Sequence, residues 1–257
     1  MQVKLHSKTI GHGKPLVILH GLFGMGDNWQ TLGKKWSEDG FCVHIIDQRN
    51  HGQTQNTDAF SYQLMSDDLL GYFEENNLDK ASILGHSMGG KVAMLFATQH
   101  ANRVEKLIVV DIAPKGYPVH HHEIIEGLKT LDFSILNSRR EADAELAKSL
   151  PNMAIRQFLL KSLYWIEKGQ LGLRFNIESI SKNIKMVGEP LLPEASYLGP
   201  TLFIRGANSG YILDGDMELI SHHFPSATLV TAPGAGHWVH AENPDLVYSE
   251  TLKLLRV

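Results

Sequence analysis

Residues 81–92 read ASILGHSMGGKV, and this stretch fits two different loops that each join a strand to a helix. Gly85, Gly90 and Lys91 match G-x-x-x-x-G-K, the beginning of a phosphate-binding P-loop. The same stretch contains G-x-S-x-G centred on Ser87, the turn that exposes a nucleophilic serine above a sheet. Which of the two loops forms decides both the fold and the chemistry of the chain.

The residues that flank Lys91 favour the serine turn. A P-loop needs Ser or Thr directly after its lysine to ligate magnesium, and this chain has Val92 there. The serine turn has the residues that it requires, because Gly85 and Gly89 lie where side chains would crowd a sharp bend. The helix that follows would also place partial positive charge beside an oxyanion. A serine that only caps this helix is the alternative, so partner residues elsewhere must decide.

Short apolar runs recur along the chain and predict the strands of one sheet. Most are continuous rather than alternating, which is typical of parallel strands buried on both faces. Helical patterns separate them, for example at 62–75 and from Ser87 onward, so the chain reads as βαβ units with helices on both faces of the sheet. The runs lie at 15–21, 41–47, 81–85, 106–114, 201–206 and 227–234.

The strand–helix alternation stops between residues 115 and 195, where the segment reads as helices without a clear strand. The simplest interpretation is a core formed by residues 1–114 and 196–257 with a helical cap, residues 115–195, inserted between two sheet strands. Ligands bind at the carboxyl ends of the strands in open α/β sheets, so the cap is expected to cover the site. A purely structural helical extension is the alternative.

The composition is that of an ordinary globular protein and argues against several classes. The chain has 257 residues with a formal net charge of -4, which gives nucleic-acid binding no electrostatic support. Its single cysteine, Cys42, cannot form an internal disulfide. The first ten residues lack the apolar segment of a signal peptide, and no apolar run reaches the roughly 18 residues of a membrane span. We therefore expect a cytoplasmic protein, either a monomer or a homodimer.

A catalytic histidine is predicted at His237. It lies in APGAGHWVHAENP, residues 232–244, in a glycine-rich turn between the last predicted strand and the final helix. His240 in the same stretch is expected to be a polar surface residue. The VHHHE stretch at 119–123 is not expected to bind a metal, because three adjacent histidines cannot converge on one ion.

An oxyanion hole requires two backbone N–H donors near the serine. One is expected from Met88, directly after the nucleophile, and the other from the loop after an early strand. LHGLFGMGDNW, residues 19–29, fits that loop, with Leu22 as the favoured donor and Phe23 as the next candidate. A helix-capping turn is the alternative. The nearby motif DQRNHG, residues 47–52, is expected to fix this loop structurally.

Six motifs together resemble the YbfF-like esterases of the α/β-hydrolase superfamily, namely HGLFG, DQRNHG, GHSMGGK, DIAP, RFN and GAGHWVHAE. The resemblance covers nearly the whole chain in the expected order. It implies the α/β-hydrolase fold, a mostly parallel sheet with helices on both faces and a helical cap. It also implies hydrolysis of carboxylic esters, and in some relatives of acyl-CoA thioesters, without a metal or organic cofactor.

The acid partner of the histidine is the least obvious assignment. In many α/β-hydrolases it follows the strand after the cap, but there this chain has Asn208 and Ser209, which carry no charge. Asp111 closes the buried run KLIVVD, where a carboxylate is costly unless it is paired. The resemblance also places the acid in the DIAP motif, so Asp111 is the predicted acid. The remaining alternatives are the apparent helix-capping residues Asp214 and Asp216, and Glu178.

These residues predict a serine carboxylesterase that acts on a small-molecule ester or thioester through an acyl-enzyme. Ser87 would attack the carbonyl, His237 would take its proton, and Asp111 would orient the imidazole. The expected substrate-binding residues are Phe23, Trp238, Arg174 and Phe175. A carbon–carbon bond hydrolase or a cofactor-free peroxidase of the same fold would use the same residues, and a non-catalytic binding module is the alternative from another class. A dehalogenase would need Asp at position 87.

Overall fold

A seven-stranded sheet forms the centre of the computed structural model, which describes residues 2–119 and 121–257. Its strands are β1 (His6–Ile10), β2 (Lys14–Leu19), β3 (Phe41–Asp47), β4 (Ala81–His86), β5 (Val104–Val110), β8 (Thr201–Gly206) and β9 (Ala227–Ala232). The strands β6 (Leu163–Glu167) and β7 (Gln170–Leu173) pair with each other outside this sheet. The sheet order is β1-β3-β2-β4-β5-β8-β9. β1 runs antiparallel to β3, and all other neighbours are parallel. The carboxyl ends of β2, β4, β5, β8 and β9 therefore lie at the same edge of the sheet.

Helices cover both faces of the sheet, and several of them lie in the chain between β5 and β8. They are α1 (Gln30–Glu38), α2 (Tyr62–Glu75), α3 (Met88–Gln99), α4 (His122–Lys129), α5 (Arg139–Leu146), α6 (Met153–Leu160), α7 (Ile177–Asn183), α8 (Met217–His223), α9 (Val239–Glu242) and α10 (Pro244–Arg256). Short 3₁₀ helices lie at Gly26–Trp29, Ala101–Arg103, Ile184–Gly188 and Asp214–Asp216. Within the described residues, none of the helices is long and apolar enough to cross a membrane.

The β2 strand shows why the apolar runs are continuous. Val17 and Leu19 pack into the core layer that contains α2 and α3. Leu16 and Ile18 point to the opposite face, into the layer formed with α1 and α10. Burying a Leu or Ile side chain fully contributes about 1.5–3 kcal/mol, so a strand that is apolar on both faces is strongly fixed inside the sheet. Six apolar runs were predicted as strands, and all six form strands.

One strand of the sheet carries no such signal. β1 lies at the sheet edge and pairs only with β3, and its HSKTI sequence is mostly exposed. An edge strand with polar residues lacks the apolar run that marks a buried strand. The predicted fold class is nevertheless confirmed, because the sheet is mostly parallel and covered by helices on both faces.

The segment 115–195 contains a β-hairpin, so the prediction of helices alone was wrong there. The apparent helix that was expected to run through NMAIRQFLLKSLYWIEKG ends at Leu160, and β6 and β7 follow. The aromatic and β-branched residues of LYWIE favour a strand. Gly169, with φ of +89°, lies in the turn between the two strands, where residues with a side chain are disfavoured. The boundaries of the core and of the cap stay predictions.

Candidate active site

Ser87 occupies a sharp turn between β4 and α3. Its backbone angles are φ +51° and ψ −118°, a strained conformation that costs a non-glycine residue about 1–3 kcal/mol. A Cβ on Gly85 would lie 2.2 Å from the carbonyl oxygen of Gly89, and a Cβ on Gly89 would lie 2.4 Å from that of Leu19. Both glycines are therefore required for the close contacts of this turn. The serine hydroxyl faces a cavity above the sheet edge.

Three of the predicted residues form one hydrogen-bonded row. Nε2 of His237 lies 2.9 Å from Oγ of Ser87, and Nδ1 of His237 lies 2.8 Å from Oδ2 of Asp111. A carboxylate only accepts hydrogen bonds, so Nδ1–H donates to Asp111 and Nε2 is left to accept from the serine hydroxyl. The structure thus brings Ser87, His237 and Asp111 together in the arrangement that activates a serine.

Asp111 is fully buried and is held by two neighbouring loops. Its Oδ1 accepts from the Gly206 N–H at 3.0 Å, and its Oδ2 accepts from the hydroxyl of Ser209 as well as from His237. A buried carboxylate requires such donors. The contact of Ser209 was not predicted, because a neutral hydroxyl in the loop after β8 carries no sequence signal for a partner in another loop. The adjacency of β5 and β8 puts the two loops side by side.

The alternative acids lie elsewhere. Asp214 pairs with Arg205 at 2.6 Å and its side chain is 92% exposed. Asp216 pairs with Lys115 at 2.5 Å. Glu178 lies exposed in the first turn of α7. In the described part of the chain, no hydrogen bond or ion pair joins any of the three to His237.

The imidazole of His237 is enclosed by aromatic rings. The Tyr211 ring stacks on it with centroids 3.9 Å apart, and Nε2–H of His86 donates to the His237 carbonyl oxygen at 2.8 Å. Burial, followed by the neighbouring imidazoles of His240 and His237, holds the pKa of His86 well below its usual value. The expectation that His240 is a surface residue was wrong. It is buried and stacks on Trp29 at 4.4 Å, and burial lowers its pKa to about 3.

The predicted oxyanion donors Leu22, Phe23 and Met88 each line a cavity that Ser87 also lines. Met88 is the first residue of α3, where a helix N–H has no partner within the helix. The Phe23 N–H is already engaged, because it donates to Nε2 of His51 at 3.2 Å. Burial lowers the pKa of His51 to about 3, which keeps this nitrogen a neutral acceptor. The Leu22 N–H forms no hydrogen bond with the described residues, so the geometry favours Leu22 over Phe23.

A buried ion pair anchors the loop that carries His51. Nε and Nη2 of Arg49 donate to the two carboxylate oxygens of Asp68 at 2.6 and 2.7 Å, and both side chains are 1% exposed. Nδ1–H of His51 donates to the Arg49 carbonyl oxygen at 2.9 Å. The DQRNHG segment therefore fixes the oxyanion loop through the contact between His51 and the Phe23 N–H, as its sequence predicted.

A cavity of about 200 Å³ opens at Ser87 and is predominantly apolar. Phe23 and Trp238 line it, as predicted. Helices of the segment 115–195 contribute further lining residues that sequence reasoning did not single out, because an apolar helical position gives no sign of which space it faces. These are Ile124 from α4 and Ile155, Phe158 and Leu159 from α6.

Two of the expected substrate-binding residues do not line this cavity. Phe175 is buried behind Phe23, with ring centroids 5.2 Å apart. The Arg174 guanidinium lies 3.7 Å from the centroid of the Tyr164 ring and lines a different cavity of about 490 Å³. His120, in the VHHHE stretch, lies outside the described residues, so the prediction about a metal at that stretch stays a prediction.

Comparison with known proteins shows which protein family the chain belongs to. Residues 14–150 match the alpha/beta hydrolase fold family, and the chain belongs to that family. It is 35% identical over 252 residues to Esterase YbfF of Escherichia coli (strain K12), which covers 96% of each chain. It is 39% identical over 242 residues to the sn-1-specific diacylglycerol lipase ABHD11 of Danio rerio, covering 91% of this chain and 76% of that protein. The predicted resemblance to YbfF-like esterases is thereby confirmed.

A solved structure supports the same class of protein. A protein described as a marine microorganism esterase superposes with a TM-score of 0.95 at 41% identity, covering 98% of this chain and 100% of that one. The names of these relatives agree with the ester-hydrolase class that the sequence predicts.

Proposed function

We propose that this protein is a serine carboxylesterase that hydrolyses esters of small to medium acyl groups, with acyl thioesters as a second substrate class. The observation that carries the proposal is the hydrogen-bonded row from Asp111 through His237 to Ser87, which ends at an apolar cavity. The esterase and lipase names of the relatives support the same class of reaction.

In the acylation half-reaction, Ser87 Oγ attacks the ester carbonyl carbon while its proton passes to Nε2 of His237. Asp111 keeps the imidazole in the required tautomer and stabilises the imidazolium. The tetrahedral oxyanion accepts hydrogen bonds from the N–H groups of Leu22 and Met88, each typically contributing about 2.7–4 kcal/mol. The carbon–oxygen bond to the alcohol then breaks, and the alcohol leaves with the proton from His237.

In the deacylation half-reaction, water attacks the acyl-enzyme carbonyl and gives its proton to His237. The same amides stabilise the second oxyanion. The bond to Ser87 Oγ breaks, the serine regains its proton, and the carboxylic acid departs. A thioester follows the same steps with a thiol in place of the alcohol.

The size of the cavity supports a modest acyl group. Its volume of about 200 Å³ is below the roughly 300–1,000 Å³ of sites that enclose drug-sized ligands. Its walls are mostly apolar, and the polar side chains that line it include Ser87, His237 and Tyr211. An acyl chain would therefore replace water against Phe158 and Trp238.

A fluorophosphonate probe tests the proposal without knowledge of the substrate. Intact mass should show a single adduct on the wild type and none on Ser87→Ala. A panel of p-nitrophenyl esters from acetate to decanoate, with acyl-CoA thioesters beside them, then assigns the substrate class. Carbon–carbon bond hydrolysis and cofactor-free peroxidation belong in the same panel, because they would use the same side chains. A folded wild-type protein that takes no adduct would refute the proposed function.

A further inference from the structure

Lys91, the residue that suggested a P-loop, is buried and has no part in the proposed chemistry. It lies in the first turn of α3, its N–H donates to the Ser87 carbonyl oxygen at 3.0 Å, and its side chain is 1% exposed. A buried ammonium is costly unless polar groups surround it. Its contacts therefore show what stabilises a lysine side chain four residues after the nucleophile.

The ammonium of Lys91 joins the two chain segments that lead into and out of the cap. We define the outgoing linker as residues 111–119 and the return linker as residues 184–191. Nζ of Lys91 donates to the Lys115 carbonyl oxygen at 2.6 Å and to the Glu189 carbonyl oxygen at 2.9 Å. It also lies 5.3 Å from the centroid of the Tyr117 ring, a favourable position for a cation.

The two linkers are themselves paired. The Tyr117 N–H donates to the Gly188 carbonyl oxygen at 2.9 Å, and the Leu191 N–H donates to the Pro114 carbonyl oxygen at 2.9 Å. These pairs show that the linkers run side by side in opposite directions. A Cβ on Gly188 would lie only 2.3 Å from the Tyr117 carbonyl oxygen, so the two backbones are in close contact.

The paired linkers form one wall of a second, small cavity beside the nucleophile. This cavity measures about 20 Å³ and is lined by Ser87 and Met88 on one side and by residues of both linkers, among them Tyr117 and Val187, on the other. The outgoing linker also continues from Asp111, and the Tyr117 hydroxyl donates to the Tyr211 carbonyl oxygen at 2.6 Å. A shift of the linkers would change the space at Ser87 and the packing of Tyr211 on His237.

We propose that Lys91 is a positioning residue that ties both cap linkers to the nucleophile helix and thereby sets the space available to substrate at Ser87. The part that concerns substrate rests on the proposed function. The part that concerns the linkers does not, because it can be measured in the protein without substrate. Burial lowers the pKa of Lys91 to about 7, and the charge of Glu189 partly opposes this shift.

The chain contains a matched control. Lys106 is also buried, and its Nζ donates to the carbonyl oxygens of Leu254 and Leu255 at 2.8 and 3.1 Å. It lies near the start of β5, the end of the strand that is remote from Asp111. Lys106→Met therefore removes a second lysine that donates to two backbone carbonyl oxygens, without touching the linkers.

The first test compares amide hydrogen exchange in Lys91→Met, Lys106→Met and the wild type. We expect the Tyr117 and Leu191 amides to exchange at least about 10-fold faster in Lys91→Met, and to stay within about 2-fold of wild type in Lys106→Met. Equal exchange of the linkers in the two variants would overturn the proposal. If Lys91→Met does not fold, amide exchange in the wild type still tests the proposal. Linker amides that exchange as fast as those of exposed loops would overturn it.

The second test measures kcat and KM for p-nitrophenyl acetate and octanoate. Lys91→Met should change the octanoate-to-acetate ratio of kcat/KM about 10-fold, mainly through KM, and Lys91→Arg should restore part of it. An unchanged ratio with loosened linkers would refute the effect on substrate. If the wild type neither hydrolyses esters nor takes the fluorophosphonate, the proposed function fails, while the exchange comparison still tests the tie between Lys91 and the linkers.

Discussion

The two sides of the cavity at Ser87 are built in different ways. The floor consists of the loops after β2, β4 and β9, which present the oxyanion segment, Ser87 and His237. The roof consists of α4 and α6, which present Ile124, Ile155 and Phe158. The floor presents hydrogen-bonding groups fixed by named contacts and by strained backbone, whereas the roof presents apolar side chains to the cavity.

This difference separates chemistry from selectivity. A hydrogen bond depends on distance and direction, so one atom on the floor cannot be replaced by another of similar size. Apolar contact depends on area, so side chains of the roof can change while the reaction stays the same. Variants on the floor should therefore abolish the reaction, and variants in the roof should redistribute it among substrates.

Loss of the nucleophile should give the largest effect. Ser87→Ala should lower kcat by about a millionfold, as in serine hydrolases that lose the attacking hydroxyl. Ser66→Ala is a suitable control, because Ser66 is a buried serine of α2 that does not line the cavity. Ester hydrolysis measured with freshly purified protein checks both. Substantial activity in Ser87→Ala would place the reaction on another residue.

Neutralising the buried acid should give the next largest effect. Asp111→Asn should lower kcat by about 10⁴-fold, because an amide at this position stabilises the wrong tautomer of His237 and not its cation. Asp214→Asn, at an exposed carboxylate paired with Arg205, should leave kcat within about 2-fold of wild type. The opposite pattern, with Asp214→Asn inactive and Asp111→Asn active, would move the acid to the loop after β8.

The buried imidazole of His240 should make the fold sensitive to acid. Its pKa in the folded protein, about 3, lies below the ordinary value of 6.5, so the unfolded chain binds the proton more readily. The stability that the neutral imidazole contributes is fully present above about pH 6.5 and is lost as the pH falls. The free energy of unfolding should decrease by about 1.5 kcal/mol between pH 6.5 and 5 for each buried histidine of this kind.

Replacement of His240 by an apolar ring tests this origin of acid sensitivity. His240→Phe retains a ring against Trp29 and should flatten the pH dependence of urea unfolding below pH 6.5. His12→Gln, at an exposed histidine, should leave the dependence unchanged. Parallel curves for His240→Phe and wild type would show that the acid sensitivity arises elsewhere.

A variant in the roof should give the smallest effect and should act on selectivity alone. Phe158 lines the cavity and packs on Trp238 with ring centroids 5.2 Å apart. Phe158→Ala should lower kcat/KM for octanoate relative to acetate about 10-fold, because the longer chain loses its apolar contact. Trp165→Ala, in the exposed part of the hairpin, is the control and should leave the ratio unchanged. A loss of acetate hydrolysis in Phe158→Ala would show that the roof also positions the reacting groups.

The floor could be predicted from the sequence because strained turns restrict the residues that form them. G-x-S-x-G specifies both a serine and the two glycines whose missing side chains admit backbone at 2.2 and 2.4 Å. Continuous apolar runs located the strands, and the strand ends located Asp111 and His237. The prediction of Asp111 as the acid rested on the cost of a lone carboxylate in a buried run and on the resemblance to the esterase family.

The roof and its connections were less predictable. Ile155 and Phe158 occupy apolar helical positions that would look the same in an ordinary core. Arg174 and Phe175 were expected near the substrate, but the direction of each side chain depends on how the hairpin packs, which periodicity does not encode. Ser209 needed the pairing of β8 with β5 before its contact with Asp111 was evident.

The contact between Asp111 and Ser209 has a consequence for how such enzymes diverge. Two loops from adjacent strands meet at one point beside the imidazole, so a negative charge can be supplied from either loop. A lineage could transfer the charge from one loop to the other by two substitutions without moving the histidine or the nucleophile. Asp111→Asn combined with Ser209→Asp should therefore recover at least about 10-fold of the kcat lost in Asp111→Asn alone, a coupling that a double-mutant cycle measures directly. Without recovery, the position of the acid is fixed by the loop that carries it and not only by the point it reaches.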